Sequence, residues 1–266
     1  MTLVLTIAEI KKRLEGIDSE SFAVFEHSLQ DDERKGVQQL LAATHRKLEA
    51  QAHEEKRLAS LYAFDAAYGN AGYVVGLDEV GRGPLAGPLT IGAVVWEKNA
   101  VPLEGLNDSK QVSETKRPEL AHAITETALC HTLVFIEPAD IDALGMSACL
   151  RKAFTQAIKE IDIQAAEKGI SITTILLDGN PLHLDEREVS VVKGDSHSAS
   201  IAAASLIAKV ARDELMVSYD KRYPGYDFKH SKGYGSKKHC EALVEKGLSP
   251  IHRKTFCQGI LQERLF

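Results

Sequence analysis

The sequence predicts an α/β domain, a mixed five-stranded sheet flanked by helices, preceded by an α-helical extension. Residues 1–70 carry hydrophobic spacing of the helical kind, unlike the remainder of the chain. After Gly72, five short apolar runs alternate with amphipathic stretches. The first three runs arrive with little helix between them, which predicts an antiparallel meander before the chain crosses over.

Thr6-Ile7-Ala8-Glu9 forms a capping box, and Ile7, Ile10, Leu14 and Ile17 mark an amphipathic helix stopping near Gly16. A longer helix is expected from Asp31 to about Tyr62, with Val37, Leu40, Leu41, Leu48, Leu58 and Leu61 as its apolar positions. Gly69-Asn70-Ala71-Gly72 supplies the boundary, dividing the chain into a helical extension, 1–70, and a catalytic domain with C-terminal helices, 71–266. Strands are expected at 73–79, 89–96, 131–136, 172–178 and 189–193, and helices at 114–128, 147–168, 197–220 and 236–246. Pro118 should delay or kink the first of these helices, because it lacks an N–H and crowds the preceding turn.

The chain has 266 residues, 44% hydrophobic and 26% charged, as an ordinary globular protein does. No apolar run approaches the ~20 residues a membrane span needs. The N-terminus has no basic head before its apolar run, so no signal peptide is expected. Cys130, Cys149, Cys240 and Cys257 lack CxxC spacing and read as reduced cytoplasmic thiols. Nothing suggests more than a monomer. The net charge of −6 argues against a polyanionic partner until its distribution is considered. From Lys229 to Phe256, seven Lys or Arg stand against Glu241 and Glu245, with three histidines beside them. That stretch is expected to contact phosphate.

Chemistry concentrates in Gly76–Pro88, GLDEVGRGPLAGP. A strand ends there at adjacent carboxylates, Asp78 and Glu79, before the turn Gly81-Arg82-Gly83. Neighbouring strand side chains point to opposite faces, so the two acids converge only if the chain bends. Two acids, one arginine and bare amides suit a metal-dependent site for a phosphate or sugar.

Together with Asp108-Ser109-Lys110, Ile175–Gly179, Lys193–Met216, Tyr223–Ser236 and Ser249–Phe256, that segment resembles type 2 ribonuclease H, the ribonuclease HII family. Six segments stand in the family's order; Ser236, where threonine is usual, and Pro118 are the departures. The resemblance implies the ribonuclease H-like fold and an endonuclease for RNA–DNA hybrids that cuts 5′ to single ribonucleotides embedded in duplex DNA. It implies a role in excising misincorporated ribonucleotides or primer remnants. Asp78, Glu79, Asp178 and Asp195 are the expected catalytic acids and ligands of two Mg²⁺ or Mn²⁺ ions, a hard all-oxygen set. Asp108 is expected to fix a turn instead.

For the substrate, the resemblance assigns the ribose 2′-hydroxyl to the backbone of Gly81, Arg82 and Gly83, and stacking on the next sugar to Tyr234. Lys110, Lys209 and Arg212 are expected phosphate ligands, the last two on an Ala-rich helix where they could equally be surface charges. His197, near Asp195, is a lesser candidate for moving a proton. The nearest rival is ribonuclease HIII, against which GRG and the KGYG tyrosine argue; a silent hybrid-binding module would be free to lose the acids. Every motif residue lies after Gly72, so residues 1–70 are expected to tune affinity rather than catalysis. The apolar residues of Gln258–Phe266 could dock a partner or belong to a packed helix.

Overall fold

The computed structural model describes residues 5–69 and 72–262, so Asn70 and Ala71 of the expected boundary and Glu263–Phe266 of the C-terminal stretch lie outside the described residues. The chain divides into two compact units, 1–59 and 60–266.

In the first unit, the capping box starts α1 (Ile7–Leu14): Glu9 N–H donates to Thr6 Oγ1, and Thr6 N–H donates to Glu9 Oε2 at 2.8 Å. A helix that the sequence pattern did not announce comes next, α2 (Ser19–Ser28), capped by Asp18 accepting from Ser21 N–H at 2.8 Å. Phe22 is its one fully buried side chain, too little for a visible stripe. Ile10, Leu14, Phe22, Val37 and Leu41 form the small core of this unit. Helix α3 (Lys35–Tyr68) starts later and ends later than expected, and from Ser60 onward it packs in the second unit.

The second unit holds the sheet: β1 (Tyr73–Val80), β2 (Leu89–Val95), β3 (Cys130–Ile136), β4 (Ile172–Asp178) and β5 (Glu188–Val191). The order is β3-β2-β1-β4-β5, with β1–β2 and β2–β3 antiparallel and β1–β4 and β4–β5 parallel. Helix α4 (Arg117–Thr127) begins one residue before Pro118, where a missing N–H costs nothing, so the proline delays the helix without kinking it. Then come α5 (Pro138–Leu144), not anticipated, and α6 (Met146–Glu167). Helix α7 (Ala199–Arg222) is succeeded by α8 (Phe228–Ser231), α9 (Lys237–Lys246) and α10 (Lys254–Gln262). Among the described residues no helix is long and apolar enough to cross a membrane. All four cysteines are free.

Strand alternation sorts the two faces. Val75, Leu77, Ile91, Ala93 and Val95 pack with Leu150, Phe154 and Ile161 of α6 in the main core. Val74 and Leu176 face Ile201 of α7 on the other side. Helix α7 lies unusually close there: a Cβ on Gly76 would fall on the backbone of Ser200 and Ile201, and one on Gly92 on the Ala204 carbonyl. Backbone cannot swing aside as a side chain can. Gly92→Ala should therefore destabilise the protein by ~1–3 kcal/mol, read as a lower urea midpoint at unchanged m-value.

Candidate active site

Asp78 and Asp178 stand side by side at the carboxyl ends of neighbouring parallel strands, one residue beyond the Leu77–Leu177 pair. Open α/β sheets bind ligands at that edge. The expected bend between Asp78 and Glu79 is absent. Strand β1 keeps its pairing through both, with Glu79 opposite Ile91 and Val80 opposite Thr90, so Asp78 faces α7 and Glu79 the other side. Asp178 couples to both. Asp195 arrives from a 3₁₀ turn, Gly194–Ser196, whose Gly194 N–H donates to Asp178 Oδ1 at 2.6 Å.

Burial pushes the Asp78 carboxyl up to about 7, and repulsion from Glu79 and Asp178 adds to it; the Ser205 hydroxyl and the Glu79 N–H, 2.7 Å away, pull the other way. Glu79 is raised by burial against the opposing Arg82, whose Nη1 lies 3.2 Å from Oε1. Asp195 is raised by burial, then by the charges of Asp108 and Asp178, while Lys110 Nζ stands 4.0 Å from its Oδ2. Carboxylates crowded this way suit a hard, oxygen-seeking divalent cation. Among the described residues no three His, Cys, Asp or Glu side chains stand together as a ready-made cage, so the acids line an open edge.

Ser205 is a residue that the sequence reading missed. It is a buried hydroxyl on α7 that reaches Asp78 and lies 3.1 Å from the Ser109 hydroxyl of the DSK turn. Its one sequence signal is a polar residue in the run AAASLIA.

The Gly81-Arg82-Gly83 turn is exposed at Arg82 and Gly83. Gly81 has φ +94°, and a Cβ there would strike Arg212 and the Pro88 carbonyl. Tyr234 is 46% exposed beside this turn, 3.9 Å from where a Gly83 Cβ would sit. Leu85 N–H donates to Gly233 O at 2.9 Å, tying the two loops together.

Arg212 requires a correction: it is fully buried and faces no phosphate path. Its Nε, Nη1 and Nη2 donate to the carbonyls of Pro88, Lys232 and Ala86 at 2.9, 2.9 and 3.1 Å. Arg253, one of the seven cations of the basic stretch, is equally buried and donates to Gly81, Arg82 and Gly87 carbonyls. Two buried guanidiniums thus clamp the 81–88 loop from beneath, turned inward because those carbonyls need donors. Lys209 sits on the same helix, 2.8 Å from Asp213 and mostly covered. Lys110 projects into solvent, its side chain 83% exposed. The exposed His197 turns Nδ1 to the Lys193 carbonyl at 2.8 Å.

A histidine pair lies under Tyr234. Ser249 N–H donates to His252 Nδ1 at 2.9 Å, which leaves the His252 proton on Nε2, directed at His239 Nε2 3.0 Å away. His239 Nδ1–H in turn donates to the Tyr234 carbonyl at 2.8 Å. This order needs both rings neutral. Burial first, then the neighbouring His239, pushes His252 down to about 4; burial also lowers His239.

Acids along the carboxyl edge of this sheet, with a glycine-rich turn and an exposed tyrosine beside them, point to a nuclease of the ribonuclease H type. Family comparison narrows this: the model described as "Ribonuclease HII" matches residues 75–259, and that described as "Ribonuclease HII N-terminal domain" matches 6–69. The chain belongs to the ribonuclease HII family, endonucleases that hydrolyse the RNA of RNA–DNA hybrids. It is 40% identical over 253 residues to ribonuclease HII of Listeria monocytogenes serotype 4a (strain HCC23), covering 94% of each chain. To ribonuclease HII of Clostridioides difficile (strain 630) it is 40% identical over 258 residues, 96% of this chain and 98% of the other. The crystal structure of ribonuclease H2 from Pyrococcus horikoshii OT3 superposes with a TM-score of 0.62 at 26% identity, covering 73% of this chain and 99% of that one.

The histidine pair carries a pH prediction. A histidine whose folded pKa lies below its unfolded value near 6.5 contributes stability above pH 6.5 that is lost as the pH falls towards about 4. His252→Asn should therefore lose less stability than wild type between pH 7 and 5, measured by urea unfolding of both proteins. The difference between the two isolates His252 from carboxyls that titrate in the opposite sense.

Proposed function

We propose that this chain cuts duplex DNA on the 5′ side of an embedded ribonucleotide, leaving a 3′-hydroxyl and a 5′-phosphate, as a cytoplasmic monomer in ribonucleotide excision or primer removal. The observation that carries this reading is the adjacency of the acid edge to the turn–tyrosine pair. Asp78, Glu79, Asp178 and Asp195 would hold two divalent cations, Mg²⁺ or Mn²⁺. When bound, such ions supply an activated water and neutralise the phosphate and the leaving oxygen.

The protein's own groups do the rest. Asp178, coupled to the other three acids, is the shared member of the set. The Glu79 amide donates to Asp78, and it and the nearby Ser205 hydroxyl favour the ionised state of that carboxyl. Gly81, Arg82 and Gly83 present backbone to the ribose 2′-hydroxyl, and Arg212 and Arg253 hold the carbonyls of this loop inward. Tyr234 supports the next sugar. Lys110, exposed beside Asp195, is placed to meet a phosphate oxygen; Lys209, paired with Asp213, would first have to leave that carboxylate.

The test is a duplex with one embedded ribonucleotide. With Mg²⁺ or Mn²⁺ a single cut should appear 5′ to it, and none with chelator; Ca²⁺ should permit binding without efficient cleavage. Asp178→Asn should reduce turnover by orders of magnitude in a protein that melts normally. Retention of near wild-type turnover by this variant, or by Asp195→Asn, would overturn the four-acid reading.

Tyr234→Ala tests substrate choice. Stacking is worth ~1–3 kcal/mol, and a sugar contact belongs at the low end, so cleavage at a single ribonucleotide should fall about fivefold or more. A long hybrid, which offers several registers, should lose less. Equal losses on both substrates would make Tyr234 structural.

A further inference from the structure

The 3₁₀ turn that carries Asp195 is held from two sides. At its front, Gly194 N–H donates to Asp178. At its back, Ser198 N–H returns to Gly194 O at 2.8 Å, and the chain enters α7. There the Asp65 carboxylate reaches in from the end of α3: Ser198 Oγ–H donates to Asp65 Oδ1 at 2.5 Å, and Ser200 N–H to Oδ2 at 2.8 Å. Phe64 joins Val74, Leu176 and Ile201 in a small apolar cluster and lies 6.3 Å from the His197 ring.

We propose that Asp65 is a positioning residue for Asp195, so that the last turns of the N-terminal helix complete the active site. Simple capping does not account for it. Helix α7 already has its N-cap, because Ser198 Oγ accepts from Ile201 N–H at 3.1 Å. Asp65 is a second, partly buried carboxylate brought from 133 residues away, and it fixes the hydroxyl that makes the cap. With Asp178 at one end and Asp65 at the other, the Gly194–Ser200 segment has little freedom to tilt Asp195. Asp65 also lies within residues 6–69, matched by the N-terminal family model, yet it packs in the second unit. On this proposal the end of the N-terminal segment acts on catalysis, where the sequence reading assigns residues 1–70 to affinity.

The inference rests on Asp195 being a metal ligand, as the proposed function holds. The test uses the full chain, four single variants, Asp65→Ala, Asp65→Asn, Ser198→Ala and Asp195→Asn, and the Asp65→Ala/Ser198→Ala double variant. kcat and KM are measured on the single-ribonucleotide duplex, Mn²⁺ binding by calorimetry without substrate, and folding by thermal melting. Outer-shell partners of ligands typically matter by about 10–100-fold, so Asp65→Ala should lower kcat about tenfold or more. KM should stay within about twofold, because Gly81–Gly83 and Tyr234 are untouched, and Mn²⁺ binding should weaken. Asp65→Asn keeps an acceptor for Ser198 and should be intermediate. It also serves if the alanine variant does not fold. Adding Ser198→Ala to Asp65→Ala should cost little further in kcat, since the contact they share is already lost, while the melt should fall further because Ser198 also caps α7. A folded Asp65→Ala or Asp65→Asn protein with unchanged kcat and Mn²⁺ affinity, merely melting lower, overturns the proposal. If Asp195→Asn keeps its turnover, the four-acid reading fails and this inference with it. If it loses turnover while the Asp65 variants do not, the inference alone fails.

Discussion

Helix α7 can rest on the sheet only because Gly76 and Gly92 carry no side chain, and most of what gives the site its shape hangs from that contact. A helix held a methyl's width further away would lift Ser205 from Asp78 and Arg212 from the carbonyls of Ala86 and Pro88. It would also draw Ser198 and Ser200 from Asp65. One helix therefore touches the acid edge, the 81–88 loop and the end of α3. The alanines at 202, 203, 204 and 208 serve the same closeness.

The acid edge and the loop beside it solve opposite electrostatic problems. At the edge, like charges are gathered where burial and mutual repulsion raise Asp78, Glu79 and Asp195. That arrangement has little structural use, and it gains sense when positive charge arrives with the substrate and its ions. Beneath the loop, Arg212 and Arg253 are buried cations answered by carbonyl dipoles. Those carbonyls are drawn inward, while Arg82 and Gly83 stay exposed. The neutral histidine pair extends the same support to the Tyr234 carbonyl.

Much of this was legible in the chain. The capping box located α1, short apolar runs located five strands to within about two residues, and of the two effects expected of Pro118, delay or kink, the helix shows the delay. Asp78, Glu79, Asp178 and Asp195 were named because each ends a strand or opens a turn within a motif. Helices α2 and α5 were not legible, since both are short and bury too few side chains for a periodic stripe.

Sequence alone determined the order of the strands and the family, because these depend on local spacing and on contiguous motifs. Tertiary structure decided which polar side chains serve the fold. Lys209 and Arg212 lie three residues apart on one helix and look alike in the sequence; what differs is their surroundings, Asp213 beside Lys209 and carbonyls of a distant loop around the fully buried Arg212. Asp65 carried no signal and Ser205 only that of a lone polar residue in an apolar run, since the partners that give them meaning, Ser198 and Asp78, are more than a hundred residues away. Long-range pairing is decided by packing, and a local pattern does not encode it.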